Sequence, residues 1–152
     1  AYAPAYFQLG VDLSEAGRAG EAKVKYTRAV QLQPGYVEAW NNLGVACRTL
    51  GELDHALEAY SMALKANVNC RKTRENMAIA LLDLGARSLQ QKDLKKAGSF
   101  LKRASSYNSC NADVYFNLAV MYAEKQKWDQ AKVNYELCVH FEPGHANAWN
   151  NL

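Results

Sequence analysis

The sequence predicts an all-α protein, a solenoid of antiparallel helix pairs with four repeats and the start of a fifth. Three observations carry this. Tyr6 and Trp40 stand 34 residues apart, as do Tyr115 and Trp149, so the chain has the period of a two-helix unit. From Trp40 to Tyr115 the interval is 75 residues, two beats plus seven, so the rhythm slips once. No alternating apolar–polar run of strand length breaks the pattern.

Each unit has its own residues in support. The first, about 3–36, opens with Tyr6, Leu9 and Gly10, then places Ala22, Tyr26 and Ala29 in its second half and Pro34 after it. Its helices are predicted at 3–16 and 19–32. The second, 37–70, repeats this with Trp40, Leu43 and Gly44, then Ala56, Tyr60 and Ala63, on helices at 37–50 and 53–66. The third, 71–111, has Arg74 in the aromatic's place, with Met77, Ala78, Ala97, Leu101 and Ala104; its helices are predicted at 71–91 and 94–107. The fourth, 112–145, restores Tyr115, Leu118, Ala119, Ala131, Tyr135, Cys138 and Pro143, on 112–125 and 128–141. Trp149 and Leu152 begin a partial fifth, 146–152. Small residues let paired helices approach closely, and aromatics fill the space that remains. Proline just past the second helix cannot continue it.

These residues at these offsets resemble the tetratricopeptide repeat, W-x₂-L-G-x₂-Y…A-x₃-F…P. The resemblance implies a right-handed superhelix whose first helices line the concave surface. Seven extra residues are assigned between Leu84 and Asp93, around Gly85–Gln91. Seven residues make about two helical turns, or ~10 Å, and keep the apolar stripe nearly in phase. A longer first helix in the third repeat is the economical reading; a longer loop is the alternative that Gly85 leaves open.

Composition excludes several classes. At 152 residues and 49% hydrophobic, the chain can bury a core, spread along a solenoid. It has no apolar stretch long enough to span a membrane and no secretory signal. It is expected to be a piece of a longer protein that continues in both directions. The four cysteines form neither a C-x-x-C pair nor a zinc spacing, and are expected to be free thiols in a reducing compartment. His55, His140 and His145 have no companion at catalytic or metal spacing, so no catalytic residue and no metal ligand is assigned. The net charge of +3 is too small to argue for nucleic acid. It is unevenly placed, with +6 on the third repeat and −3 elsewhere. Arg71, Lys72 and Arg74 are a candidate patch for an acidic partner segment; Lys95, Lys96, Lys102 and Arg103 fall on the second helix, whose outer face is ordinarily just solvated.

One stripe of the first helices suggests binding. Offset 6 of successive repeats reads Gln8, Asn42, Asn76, Asn117 and Asn151. A carboxamide donates and accepts together, so it can pair with both N–H and C=O of an extended peptide. Such a ladder would hold backbone rather than read sequence. The alternative is that the amides only hydrogen-bond the next helix. Offset 5 (Phe7, Asn41, Glu75, Phe116, Asn150) and offset 9 (Val11, Val45, Ile79, Val120) lack the cations that a clamp for a C-terminal carboxylate needs.

Several stretches point to a particular family. The run from Asn76 to Gly85 followed by the seven-residue lengthening, and Tyr2–Tyr6 with Leu9-Gly10-Val11, Tyr135–Leu137, and His140–Pro143 running into Ala148–Leu152, resemble the repeat region of SPINDLY-type protein O-glycosyltransferases. The resemblance implies a parent protein with N-terminal repeats and a C-terminal catalytic domain of GT-B type. Such enzymes transfer fucose from GDP-fucose to Ser/Thr of nuclear and cytosolic proteins, and their close relatives use UDP-GlcNAc. In those relatives an asparagine ladder holds the acceptor polypeptide, which carries that role onto Asn42, Asn76, Asn117 and Asn151, with Gln8 a departure. With no catalytic domain and no cofactor of its own, this segment is expected to select acceptors through extended Ser/Thr-rich segments without transferring sugar. A scaffold with no enzyme attached, or a homodimerisation module, are the alternatives.

Overall fold

In a computed structural model, residues 2–152 are described, and among them the regular structure is helical throughout. The helices are α1 (Ala3–Glu15), α2 (Ala19–Leu32), α3 (Val37–Thr49), α4 (Leu53–Ala66), α5 (Arg71–Gln90), α6 (Leu94–Tyr107), α7 (Ala112–Glu124), α8 (Trp128–Phe141) and α9 (Ala146–Asn151). They fall into two compact units, Ala1–Ala80 and Leu81–Leu152, and the boundary lies inside α5. In the first unit α1 pairs with α2 and α3 with α4; in the second α7 pairs with α8, and α9 packs on α8.

The helix pairs are locked by a small residue against a large one. A Cβ on Gly10 would lie 2.6 Å from the Tyr26 ring, and one on Gly85 2.7 Å from Leu101. Gly44 sits as tightly against Tyr60. At these three positions the absence of a Cβ lets the large side chain reach the partner backbone. The rings then fill the core: Tyr26 and Tyr60 are buried in the first unit, with Met77 from α5. Leu81, Leu101 and Met121 are buried in the second. Each such Leu or Met contributes about 1.5–3 kcal/mol by leaving water. In the fourth repeat Ala119 takes the glycine's place in a cluster with Ala131, Tyr135, Cys138 and Ala148.

The hairpin turns are copies of one another. Seven residues after Gly10, Gly44, Gly85 and Ala119 stands the residue with positive φ: Gly17 (74°), Gly51 (77°), Lys92 (59°) and Gln126 (57°). Behind each, the next N–H reaches back five residues to a carbonyl of the last helical turn: Arg18 to Leu13, Glu52 to Cys47, Asp93 to Ser88, Lys127 to Tyr122. This closes the helix end in a Schellman motif. The first two repeats use glycine there, where a left-handed backbone costs least.

Turns between repeats are held by polar tips. Trp40 Nε1 donates to the Pro34 carbonyl (2.8 Å), Trp149 Nε1 to that of Pro143 (2.9 Å), and Tyr115 Oη to that of Ser109 (2.8 Å). The aromatic that opens a repeat therefore also fastens the turn before it. Where Pro-Gly is missing, asparagine substitutes: Asn67 and Asn108 accept from the N–H two residues on, at 3.1 Å each.

The third repeat corrects the expected position of the slip. The lengthening is helical, since α5 has 20 residues where α1, α3 and α7 have 13. The extra residues are not at Gly85–Gln91, however. Gly85 meets Leu101 sixteen residues later, as Gly10 meets Tyr26, and α5 ends five residues past Gly85 as α1 ends five past Gly10. The added two turns are Arg71–Met77, at the N-terminal end of α5. Counting back from Tyr115 gives the same register, with Leu81 in the aromatic's place and Leu84-Gly85 as the Leu-Gly pair.

Gly10→Ala is expected to destabilise the protein by about 1–3 kcal/mol through overpacking against Tyr26. Gly98→Ala, whose new Cβ would meet Met121 only at 3.6 Å, is expected to stabilise α6 by about 0.5–1 kcal/mol. Urea unfolding of the two variants measures both; equal effects would contradict the close-approach account.

Candidate peptide-binding face

In the first unit the amides form a connected chain rather than isolated rungs. Asn76 Nδ2 donates to Asn41 Oδ1 at 3.0 Å, joining α5 to α3. Asn41 Nδ2 donates to Asn42 Oδ1 at 3.3 Å. Asn42 Nδ2 reaches the Tyr26 hydroxyl at 3.5 Å, and that hydroxyl lies 3.1 Å from Ser14 Oγ. Gln8, at the expected first rung, is exposed and donates to Asp12 Oδ1 at 2.9 Å. In the second unit Asn151 Nδ2 donates to the Tyr135 hydroxyl at 3.3 Å, sixteen residues back, as Asn42 does to Tyr26. Asn117 donates to the Asp113 carbonyl of its own helix at 2.8 Å.

All five predicted rungs thus use an N–H internally, which the simple ladder did not include. A carboxamide has two N–H groups and a carbonyl with two lone pairs, so one internal bond orients it without exhausting it. Asn42, Asn76 and Asn117 are half-buried, and Gln8 and Asn151 exposed. Tyr135, the anchor of Asn151, has its hydroxyl pKa raised by burial, partly offset by the bond from Asn151.

Register matters for the third rung. Counted forward, Asn76 continues Asn42; counted back from Asn117, the rung is Asp83. The two are seven residues apart on α5, hence about 20° apart around it. Asn76 therefore serves the first unit, where it meets Asn41. In the second unit the equivalent position is an acid.

The corrected register also places the candidate acidic-partner patch. Arg71, Lys72 and Arg74 are the extra two turns of α5. Arg71, 91% exposed by its side chain, pairs with Glu75 at 2.7 Å; Lys72 is exposed and Arg74 half-buried. Lys95, Lys96, Lys102 and Arg103 lie exposed on α6, with Lys96 3.5 Å from Asp93.

Other reactive side chains are occupied structurally. Cys47 and Cys138 are buried, and burial raises both thiols' pKa, away from nucleophilic use. Cys70 is half-buried and Cys110 exposed. Asp113, Glu142 and His145 gather at the start of α9. His145 Nδ1 accepts the Ala148 N–H at 3.1 Å, capping α9, and its ring lies 4.7 Å from that of Phe116. With Nδ1 accepting, the neutral ring carries its proton on Nε2, the nitrogen nearest Asp113 at 3.9 Å, so that nitrogen has no lone pair for a cation. His145 occupies the place held one repeat earlier by Asn111, which caps α7 by accepting from the Val114 N–H at 3.4 Å; the capping role of a histidine there was not visible in the sequence.

Comparison with known proteins agrees with this architecture. Tetratricopeptide-repeat family profiles match residues 37–70 and 112–145. A protein of Oryza sativa subsp. japonica named "Probable UDP-N-acetylglucosamine--peptide N-acetylglucosaminyltransferase SPINDLY" is 40% identical over 157 residues, covering 81% of this chain and 17% of its own length. Its Hordeum vulgare namesake is 41% identical with the same coverage. The chain thus spans about a sixth of these relatives. Among solved structures, a MamA protein superposes with TM-score 0.71 at 23% identity, over 98% of this chain and 78% of that one. A tetratricopeptide repeat protein from Parabacteroides merdae gives 0.70 at 17% identity, over 98% and 57%. At these identities the structures speak to fold alone. No helix among the described residues is long and apolar enough to cross a membrane.

One ion pair ties the first two repeats and makes a pH prediction. Lys23 on α2 donates to Glu52, which His55 Nδ1 also meets at 3.2 Å. The bond to Lys23, then His55, lowers the Glu52 pKa, and the bond to Glu52 raises that of Lys23. The lowered carboxylate contributes above its unfolded value of about 4.3 and is lost as pH falls through its folded value. The raised ammonium contributes below about 10.4 and is lost as pH rises through its folded value. The melting temperature of Lys23→Met should therefore fall below wild type between those limits and converge with it in strong acid. An undiminished difference in acid would contradict the pair's role.

Proposed function

We propose that this chain, an array of tetratricopeptide repeats related to those of SPINDLY-type glycosyltransferases, holds acceptor polypeptides for such an enzyme. The observation that carries the reading is the recurrence of a half-buried, internally oriented carboxamide on the first helices: Asn42 and Asn76 in one unit, Asn117 in the other. A fixed amide can pair with the N–H and C=O of an extended chain and is indifferent to its side chains. That suits a segment which must present many different Ser/Thr sites. The acceptor is then a disordered, Ser/Thr-rich stretch that orders on binding and is held weakly per contact.

The chemistry of transfer belongs to a catalytic domain elsewhere in the parent protein. There the sugar comes from GDP-fucose or UDP-GlcNAc, and the acceptors are nuclear and cytoplasmic proteins. The name of the rice and barley relatives points to N-acetylglucosamine; fucose is the donor suggested by the family resemblance. Arg71, Lys72 and Arg74, on the added turns of α5, would suit acceptors with acidic residues flanking the site.

Changing Asn42, Asn76 and Asn117 together to Ala in the parent enzyme should reduce acceptor modification at least about ten-fold, since each lost bond costs on the order of 1 kcal/mol. Far-UV circular dichroism should not change. Undiminished turnover across several protein acceptors would refute the reading.

A further inference from the structure

Asn41 is the anomaly of the first unit. It is 3% exposed, in the position where the first and fourth repeats place Phe7 and Phe116. A buried polar side chain in an aromatic's place forfeits packing, so its hydrogen bonds must account for it. They do so in a directional way. Its Oδ1 accepts from Asn76, and its Nδ2 donates to Asn42 Oδ1. With Asn42 and Asn76 oriented as they are, reversing the Asn41 amide would set oxygen against oxygen at Asn42 and nitrogen against nitrogen at Asn76, so the three carboxamides are oriented as a set.

The direction then propagates. Asn42, accepting on its oxygen, donates from its nitrogen to the Tyr26 hydroxyl. The Tyr26 hydroxyl, which accepts there, also shares a hydrogen bond with Ser14 Oγ. From Asn76 to Tyr26 every member donates toward the next, across α5, α3 and α2, with Ser14 on α1 bonded at the end, and head-to-tail bonds of this kind strengthen one another. The other rungs are held differently: among the described residues Asn117 donates to its own helix, with Phe116 beside it, and Asn151, with Asn150 beside it, donates to Tyr135.

We propose that Asn41 is a positioning residue: it fixes the orientation of the Asn42 and Asn76 carboxamides, so that both present their remaining N–H and carbonyl to a peptide backbone in set directions. This rests on the reading of the amides as peptide-binding. Asn41 itself is buried and touches no ligand. Its effect is to remove the freedom the two outer amides would otherwise lose on binding. The partner is specified by that chemistry: an extended polypeptide backbone, gripped most firmly where the second and third repeats meet in sequence.

The test uses the intact chain and a labelled, unstructured Ser/Thr-rich synthetic peptide, with affinity read by fluorescence anisotropy. Asn41→Leu removes both bonds at similar volume. It should weaken the peptide roughly five-fold, about the worth of one net hydrogen bond, with an unchanged circular dichroism spectrum. The side-chain NH₂ resonances of free Asn42 and Asn76 should move, while those of Asn117 and Asn151 stay. Asn41→Asp keeps the acceptor for Asn76 but sets a carboxylate oxygen against Asn42 Oδ1. It should shift the Asn42 resonances more than those of Asn76 and also weaken binding, and it carries the test if the leucine variant folds poorly. If Asn42→Ala weakens binding while both Asn41 variants bind as wild type with unmoved resonances, the positioning role is overturned and the amide reading stands. If Asn42→Ala leaves affinity intact, the amide reading fails and the role of Asn41 fails with it.

Discussion

The close approach of a glycine to a large side chain on the partner helix fixes nearly everything else in this molecule. With Gly10 against Tyr26, Gly44 against Tyr60 and Gly85 against Leu101, each hairpin has one possible register. The helix must end five residues later and the chain must turn through a left-handed residue two residues beyond that. That register in turn decides which side of the first helix is buried and which side is left to bear Gln8, Asn42, Asn117 and their neighbours. The contact is steric before it is energetic, because a methyl group added at any of these three glycines would force the facing side chain to move.

Given that constraint, α5 solves a matching problem. Its first turns carry Asn76-Met77-Ala78, in step with Asn42-Leu43-Gly44, and its last carry Asp83-Leu84-Gly85, in step with Asn117-Leu118-Ala119. A shift of seven residues is nearly two whole turns, so one helix can present both sets on one side with little rotation. A shift of five would have turned the second set about 140° away. The length of the addition is therefore set by helix geometry. Its composition is only partly free: Thr73 and Met77 are buried and Asn76 bonds Asn41, while Arg71, Lys72 and Arg74 take other positions. The proposed grip depends on the same arrangement, because Asn76 arrives beside Asn41 through the added turns.

The hairpins and their order were legible because the period is long and many positions agree, from Tyr6 to Trp149. The place of the slip was not, because the two candidate sets on α5 look alike; Met77-Ala78 passes for Leu84-Gly85 until Gly85 is seen against Leu101. Counting back from Tyr115 as well as forward from Trp40 would have exposed the ambiguity. The amide stripe was legible as a recurrence of residue type. Its internal bonds were not, since Asn42–Tyr26 and Asn151–Tyr135 depend on how one repeat leans on the next. Asn41 was hidden by standing beside Asn42, where two adjacent asparagines read as one exposed polar pair. His145 was hidden differently: its capping bond to Ala148 repeats that of Asn111 to Val114 one repeat earlier, but histidine is not a residue type that marks a helix start.

The central claim is that oriented carboxamides on the first helices grip an extended backbone. A crystal structure of the chain with a bound Ser/Thr-rich peptide tests it most directly. The account predicts an extended peptide whose backbone N–H and C=O groups pair with the side-chain amides of Asn42, Asn76 and Asn117, with its side chains largely uncontacted. A peptide seated instead on the outer faces of α2, α4, α6 or α8, or held through its side chains alone, would contradict it.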